Sequence, residues 1–238
     1  MRAFLLSGGA GTRLKDVLGS RPKPMAPVGG RPFLELLIDQ LRRWDIREIV
    51  VCIGYGGEQI RAYFGDGRRW QVRISYSEEE TPLGTGGALG KALRSCPDEH
   101  VLAMNGDSYF GIAIGRFMAF HFRKRALASI ALAKIDDPGR FGTVEIGRRA
   151  EVKSFKEKDA DSPGPALVNG GIYILHRSMR DVIPEGKSSL ERNVFPALIG
   201  KGLFAVRLEG FFIDIGVPED YRRLVENPGL VAASAGPR

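Results

Sequence analysis

Short apolar runs alternate with segments of helical periodicity up to Asp107, and this alternation constrains the fold more than any other feature of the chain. The predicted strands are 2–6, 46–53, 72–76 and 101–104, and the predicted helices between them are 32–44, 57–64 and 86–96. Parallel neighbouring strands need a long crossover connection, which is usually a helix. The pattern therefore predicts an open, mostly parallel α/β sheet.

The regular alternation of strands and helices ends after Asp107, where shorter strand-like segments predict that the sheet is mixed rather than purely parallel. The predicted elements are a helix at 114–125, strands at 127–135, 142–146, 152–155, 167–175, 203–208 and 211–215, and a last helix from Pro218. Ser188 to Glu191 resembles a capping box that opens a helix reaching Ile199. We expect residues 1–226 to form a single domain, and the weakly patterned tail 227–238 to be frayed.

Composition excludes several classes of function. No apolar run approaches the ~18 residues of a membrane span, and the N-terminus lacks a signal-peptide pattern, so we expect a cytoplasmic protein without a membrane partner. The net charge of +7 is spread over the whole chain without interleaved aromatic residues, which argues against nucleic-acid binding. Cys52 and Cys96, the two cysteines, are expected to be reduced core thiols.

A glycine-rich, cationic loop follows the first predicted strand. It lacks the lysine of a Walker A loop, and Leu14 occupies the place of the third glycine of a dinucleotide fingerprint. What remains is a cluster of bare backbone amides followed by Thr12, Arg13 and Lys23. Two flanking prolines stiffen the segment around Lys23. Such a loop is typical of a site for a polyphosphate.

The motifs, taken in chain order, resemble those of the sugar-1-phosphate nucleotidyltransferases. They are 8–14 with 22–25, 80–88, 105–107, 155–158, 169–171 and 214–219. The resemblance runs from Arg2 to about Glu226. It implies a Rossmann-like nucleotidyltransferase fold, in which helices flank a mixed, mostly parallel sheet to give a three-layer sandwich. It also implies a nucleotide-binding half at about 1–110 and a sugar-phosphate-binding half at about 111–226.

The same resemblance implies the residues of the site. The nucleotide-binding residues would be Leu6, Ser7, Gly8, Gly9, Gly11, Thr12, Arg13, Lys23, Glu80, Pro82, Gly84, Thr85, Gly86 and Gly87. The sugar-phosphate-binding residues would be Asn105, Gly142, Glu157, Lys158, Asn169, Gly170 and Gly171. Asp107 and Asp214, each at the end of an apolar run, would bind Mg²⁺, although Asn-Gly-Asp is also common in turns. The catalytic residues would be Arg13, Lys23 and Asp107.

The implied reaction is attack of a sugar 1-phosphate on the α-phosphorus of a nucleoside triphosphate, with release of pyrophosphate. Segments 140–144, 169–173 and 212–221 most resemble family members that transfer GMP from GTP to D-glycero-D-manno-heptose 1-phosphate, a precursor of surface polysaccharide. Ser7 departs from the small apolar residue or cysteine usual at its position. One of the three glutamates at 78–80 could read a guanine base, or all three could form a solvated loop.

Other hypotheses stay open at this point. The base and sugar could be different, with uridylyl, thymidylyl or guanylyl transfer to a hexose or amino-sugar 1-phosphate. A regulatory paralogue could bind the nucleotide without turnover, although the charged residues of the motifs are all present. A homo-oligomer is compatible with the sequence. The three histidines, His100, His121 and His176, fall outside the matched motifs and receive no role.

Overall fold

A computed structural model describes residues 1–9, 11, 14–136, 138–139, 141–156 and 164–233. Its strands are β1 (Arg2–Ser7), β2 (Pro27–Val28), β3 (Arg31–Pro32), β4 (Glu48–Ile53), β5 (Arg73–Glu78), β6 (His100–Asn105), β7 (Ser108–Phe110), β8 (Ala128–Ile135), β9 (Thr143–Ile146), β10 (Val152–Lys156), β11 (Ala166–His176), β12 (Leu203–Arg207) and β13 (Phe212–Asp214). Its helices are α1 (Lys15–Leu18), α2 (Phe33–Arg43), α3 (Gly57–Phe64), α4 (Gly84–Arg94), α5 (Ile114–Lys124), α6 (Met179–Val182), α7 (Phe195–Ala197), α8 (Pro218–Glu226) and α9 (Gly229–Ala233). Single 3₁₀ turns lie at Lys23–Met25 and Arg68–Trp70, and a π-helical turn lies at Leu190–Val194.

One large mixed sheet runs through the protein in the order β10-β9-β11-β6-β1-β4-β5, with β8 pairing to β11 and β12 to β8. The strands β6, β1, β4 and β5 are parallel to one another, whereas β11 runs antiparallel to β6, β8 and β9. The chain first builds outward from β1 to β5 and then returns to the other side of β1 with β6. This reversal confirms a mixed, mostly parallel sheet and creates a switch point between β1 and β6.

Both faces of the sheet are buried, which explains the apolar runs of its central strands. In β1, Ala3 and Leu5 pack into one core and Phe4 packs into the other. Helices α2, α3, α5 and α8 contribute to the first core, and α4, α6 and α7 contribute to the second. Helix, sheet and helix layers therefore form the three-layer sandwich that the motifs predicted.

Two local predictions are wrong. Ser189, not Ser188, caps the 190–194 turn, because its Oγ accepts a hydrogen bond of 3.2 Å from the backbone N–H of Arg192. The Glu191 carboxylate turns away into a side-chain network, so no capping box forms, and the following helix α7 ends at Ala197 rather than Ile199. The expected frayed tail contains helix α9, where Val231 is 4% exposed. Residues 234–238 lie outside the described ranges.

Cys52 and Cys96 are free and buried, as predicted. Burial raises the pKa of the Cys52 thiol to about 12, so it stays protonated at neutral pH. Within the described ranges, every helix falls short of the length and apolarity that a bilayer crossing requires.

Candidate functional site

The predicted site residues lie along the edge where the parallel strands end. Leu6 near the end of β1 pairs with Asn105 at the end of β6, and the Leu6 carbonyl accepts a 2.9 Å hydrogen bond from the N–H of Gly106. The loop 8–9 leaves β1 at this edge, and the turn to Asp107 leaves β6 beside it. Open α/β sheets bind their ligands at such a switch point, because neighbouring loops there diverge.

Lys23, Asp107 and Asp214 meet at this edge although they are far apart in the chain. The Nζ atom of Lys23 lies 3.2 Å from Oδ2 of Asp107. The backbone carbonyl of Asp107 accepts a 2.9 Å hydrogen bond from the N–H of Ile215, the residue after Asp214. The antiparallel pairing of β13 with β7, which sets Asp214 opposite Ser108, holds the second aspartate beside the first. The structure therefore brings together these three predicted residues.

The glycine loop and the two prolines fix the position of Lys23. Pro22 and Pro24 are buried on either side of it in a 3₁₀ turn. Gly11 adopts φ +63°, and a Cβ atom there would lie 2.8 Å from Cγ of Lys23. The loop thus packs directly on the aliphatic stem of Lys23, whose side chain is only 17% exposed. This contact explains why glycine is required at position 11.

The donor set at this edge fits a hard divalent cation. Asp107 and Asp214 offer carboxylate oxygens from adjacent chain segments, and the Asp107 side chain is 36% exposed. One ammonium group and two carboxylates leave this cluster with a net negative charge. Mg²⁺ binds through one or two carboxylates together with waters and substrate phosphates, so two aspartates are sufficient.

A cavity of about 500 Å³ opens next to the aspartates. It is lined by Asn105, Phe141, Gly142, Thr143, Val144, Phe155, Lys156, Asn169, Glu191, Arg192, Asp214, Gly216 and Val217. Three residues predicted for the sugar phosphate, Asn105, Gly142 and Asn169, therefore share one cavity with Asp214. The sequence did not indicate Glu191 or Arg192, which the π-helical turn carries to the wall of the cavity.

The Glu191 carboxylate is the centre of a polar network behind the cavity wall. It accepts hydrogen bonds from the hydroxyls of Thr85 (3.2 Å), Ser189 (3.1 Å) and Tyr173 (3.3 Å). Asn169 donates through Nδ2 to the hydroxyl of Tyr173 at 2.8 Å. Burial and the charge of Glu191 raise the pKa of Tyr173 well above its ordinary value, so Tyr173 remains a hydroxyl donor. The network connects the predicted nucleotide loop to the predicted sugar site.

Of the three glutamates at 78–80, Glu79 lies at the glycine loop. Its Oε2 accepts a 2.6 Å hydrogen bond from the N–H of Leu83, and its Oε1 lies where a side chain at Gly8 would be. Burial raises the pKa of Glu79, an effect that the Leu83 N–H and Lys91 partly offset. Glu78 is exposed and pairs with Arg61 at 2.7 Å, and Glu80 is also exposed. Glu78 ends β5 rather than lying in a loop, and contact of Glu80 with the nucleotide stays a prediction.

Several predicted glycines have a packing role in the structure. The N–H groups of Gly86 and Gly87 donate to the carbonyl of Ser188 at 2.9 and 3.3 Å. Gly84, with φ +68°, also lies against that carbonyl, at 2.6 Å from its ideal Cβ position. These contacts dock segment 186–190 onto the start of α4, while Pro82 beside them is exposed. Direct contact of these residues with a nucleotide stays a prediction.

Gly170 and Gly171 are likewise enclosed by protein atoms. A Cβ atom on Gly170 would contact the ring of Phe110, and one on Gly171 would contact Oγ of Ser108. Gly171 adopts φ +72°, and its N–H donates to Oδ1 of Asn169 at 3.0 Å. The pairing of β11 with β8 shifts register between Asn169 and Tyr173, and both glycines lie in this irregular stretch. Contact of either glycine with a sugar stays a prediction.

Some predicted residues lie outside the part of the chain that the structure describes. These are Thr12, Arg13, Glu157 and Lys158. Lys156, which immediately precedes Glu157, ends β10 at the wall of the cavity. Gly9 is exposed, with open space around its Cβ position.

Seven buried side-chain polar atoms of the described residues have no hydrogen-bond partner, and four of them belong to residues near this edge. These four are Oγ of Ser7, Oδ1 of Asn105, Oγ of Ser108 and Oγ of Ser188. Ser7 is 2% exposed and its hydroxyl faces Gly106. Because buried polar atoms are normally satisfied, such a cluster is typical of a site that binds polar groups.

Comparison with known proteins shows which family the chain resembles. A family model described as "Nucleotidyl transferase" matches residues 2–227. D-glycero-alpha-D-manno-heptose 1-phosphate guanylyltransferase of Aneurinibacillus thermoaerophilus is 37% identical, with 94% of this chain and 96% of the relative covered. Mannose-1-phosphate guanylyltransferase of Mycobacterium tuberculosis is 35% identical, with 93% of this chain but 62% of the relative covered.

Among solved structures, this chain is similar to HddC from Yersinia pseudotuberculosis in complex with GMP-PN. The TM-score is 0.84 at 30% sequence identity, and the match covers 95% of this chain and 98% of HddC. The likeness therefore extends over nearly the whole sheet and both helical layers.

Proposed function

The chain belongs to the nucleotidyl transferase family, and we propose that it transfers GMP from GTP to D-glycero-D-manno-heptose 1-phosphate, with release of pyrophosphate. One observation carries the proposal. Lys23 and Asp107 form an ion pair of 3.2 Å beside Asp214, which lines a cavity of about 500 Å³. A cationic group and two carboxylates, next to a cavity whose wall includes Asn105, Lys156 and Asn169, suit the joining of two phosphate-bearing substrates.

Charge repulsion is the main obstacle to this reaction, because both substrates are polyanions. Repulsion of unit charges at contact distance amounts to several kcal/mol in a partly dry site. Positioning and charge neutralisation can therefore supply the catalysis without a protein nucleophile. We assign Lys23 to the α-phosphate and its transition state, Arg13 to the β- and γ-phosphates, and Lys158 to the phosphate of the sugar.

Asp107 and Asp214 would hold the metal ion. Nucleotidyltransferases of this family generally use a divalent metal ion, and the hard oxygen donors of both aspartates suit Mg²⁺. When bound, the ion would neutralise phosphate charge during transfer. Lys23, already paired with Asp107, would stay beside the ion and add a second positive charge to the same region.

Glu79 supports guanine as the base. A carboxylate can accept hydrogen bonds from the ring N–H and the exocyclic amine of guanine together, which uracil and thymine do not offer. Glu79 lies against Gly8 in the glycine loop, and its position is fixed by the N–H of Leu83 at 2.6 Å. The guanylyltransferase names of the two relatives agree with this assignment.

A hexose 1-phosphate is the second candidate for the sugar. The relative from Mycobacterium tuberculosis is named a mannose-1-phosphate guanylyltransferase, and its identity to this chain is within two percentage points of that of the heptose relative. In both cases we propose that the nucleotide binds to the half at about 1–110 and the sugar phosphate to the half at about 111–226. The reaction would take place in the cytoplasm, where nucleoside triphosphates are available.

A substrate matrix tests the proposal. Purified protein is incubated with Mg²⁺ and each pairing of GTP, ATP, UTP or dTTP with heptose, mannose, glucose or N-acetylglucosamine 1-phosphate, and pyrophosphate release is measured. We expect the highest kcat/KM for GTP with the heptose 1-phosphate. A higher value with mannose 1-phosphate would replace the sugar assignment. Pyrophosphate release from no pairing at all would contradict the proposal and favour a binding-only protein.

A further inference from the structure

All three histidines of the chain lie together at the end of the sheet opposite the candidate active site. His100 begins β6, whose last residue, Asn105, lines the cavity about 17 Å away at the usual rise per strand residue. His176 ends β11 and is the direct antiparallel partner of His100. His121 comes from helix α5, and its Nε2 lies 3.0 Å from Nδ1 of His100. The proposed reaction uses none of them.

Hydrogen bonds orient the rings of this cluster. Nδ1 of His121 lies 2.8 Å from Oγ of Ser129, and both residues are completely buried. Nδ1 of His176 lies 2.7 Å from Oγ of Ser178. Nδ1 of His100 is engaged by His121, which leaves Nε2 of the half-buried His100 ring for another partner. Nδ1 of His176 also accepts a 3.3 Å hydrogen bond from the backbone N–H of Ser178, so a metal ion at Nε2 of His176 would require the ring proton to move to Nδ1, where Oγ of Ser178 can accept it. Histidines that bind metals are commonly oriented in this way by a bond to the other ring nitrogen.

Glu99 supplies a carboxylate next to these rings. Its Oε1 lies 3.8 Å from Nε2 of His176. Ligand atoms from Glu99, His100 and His176 all lie within 4.8 Å of one another. Zinc–nitrogen bonds of about 2.0–2.1 Å require ligand atoms somewhat closer than that, and the exposed Glu99 side chain can rotate to close the gap.

The chemistry of the three side chains indicates the kind of metal ion. Two imidazoles and one carboxylate favour Zn²⁺ or a similar transition metal, whereas oxygen-only sites favour Mg²⁺.

We propose that Glu99, His100 and His176 form a binding site for Zn²⁺ or a similar divalent transition metal, separate from the aspartates of the candidate active site. The ion would join the start of β6 to the end of β11. These two strands carry Asn105 and Asn169 to the cavity at their other ends. A metal bridge between them would stabilise the centre of the sheet without touching the substrates.

Calorimetric titration with Zn²⁺ tests this site. The full-length chain, without a histidine tag and freed of metals by a chelator, is titrated in millimolar Mg²⁺ so that the aspartate site is saturated. We expect one Zn²⁺ per chain and a rise in Tm on binding. His176→Asn and Glu99→Gln should each weaken Zn²⁺ affinity at least tenfold, while Mg²⁺-dependent pyrophosphate release stays at the parental level.

Glu185→Gln is the matched control, because Glu185 is also an exposed carboxylate but lies outside the cluster. It should bind Zn²⁺ like the parent. Circular dichroism and Tm in chelator establish that each variant is folded, and Glu99→Gln provides a test at an exposed side chain if His176→Asn fails to fold. Absence of Zn²⁺ binding in the parent, or parental Zn²⁺ affinity in both cluster variants, would overturn the proposal.

Discussion

Glu191 connects the predicted sites of both substrates through a single side chain. Its carboxylate accepts hydrogen bonds from Thr85 in the predicted nucleotide loop and from Tyr173 in β11, and it also lines the cavity. The sequence placed Glu191 in a capping pattern because only local spacing was visible. Ser189 is a local partner, but the other two partners, Thr85 and Tyr173, are 106 and 18 residues away, so the network depends on tertiary structure.

Glu191→Gln should weaken binding of the sugar phosphate more than binding of GTP. The substitution keeps the shape of the side chain but removes the charge, and hydrogen bonds to charged groups contribute about 1.5–3 kcal/mol each. We expect the KM for the sugar phosphate to rise tenfold or more. Steady-state kinetics with either substrate varied measures the effect, and Glu185→Gln on the exposed surface serves as the control. An unchanged KM for the sugar phosphate would contradict a role for Glu191 in binding this substrate.

Glu79→Gln should reduce the preference for GTP. An amide offers one acceptor where the carboxylate offers two, and its NH₂ group would oppose the amine of guanine. We expect kcat/KM for GTP to fall at least tenfold, with little change in the low values for ATP and UTP. Glu78→Gln is the matched control, because Glu78 pairs with Arg61 on the surface. Parental selectivity in Glu79→Gln would refute base reading by Glu79.

At the scale of elements, the regular helices and strands were predictable and their irregular ends were not. The periodicity of residues 57–64 predicted helix α3 with its observed bounds. The 190–194 turn was predicted as an ordinary capped helix, but long-range hydrogen bonds of Glu191 accompany a π-helical turn instead. Helix α9 has a short, weak pattern, and Val231 is buried by contacts that local sequence does not encode.

Gly170→Ala should destabilise the irregular part of β11. An added Cβ atom would contact the ring of Phe110 and lie 2.9 Å from the carbonyl of Ala131. Overpacking of this kind lowers the free energy of unfolding by about 1–3 kcal/mol. Gly115→Ala is the control, since position 115 lies in helix α5 with open space around its Cβ position, and it should be neutral or slightly stabilising. Urea unfolding measures both, and equal stability of the two variants would contradict the packing account.

At the scale of the whole molecule, the sheet assembles a site from residues that the chain keeps far apart. Lys23 and Asp107 are separated by 84 positions, yet they form an ion pair at the switch point of the sheet. Lys23, Asp107 and Asp214 lie together as the motifs predicted, whereas binding of a polyphosphate there stays a prediction. The family resemblance on which the motifs rest is confirmed. The order of the strands could not be predicted, because the pairing of β11 with β6, β8 and β9 depends on contacts distant in sequence.

Turnover by aspartate variants tests the central claim most directly. Asp107→Asn and Asp214→Asn are assayed for Mg²⁺-dependent pyrophosphate release with the best substrate pair, and Asp181→Asn in the exposed part of α6 is the control. The loss of one metal-binding carboxylate should lower kcat by ~100-fold or more, because the loss of a preorganised electrostatic group in an active site has effects of this size. The Tm of both variants should stay near the parental value. The Asp181 variant should retain parental turnover. Near-parental kcat in either Asp107→Asn or Asp214→Asn would contradict a shared polyphosphate and metal site at this edge of the sheet.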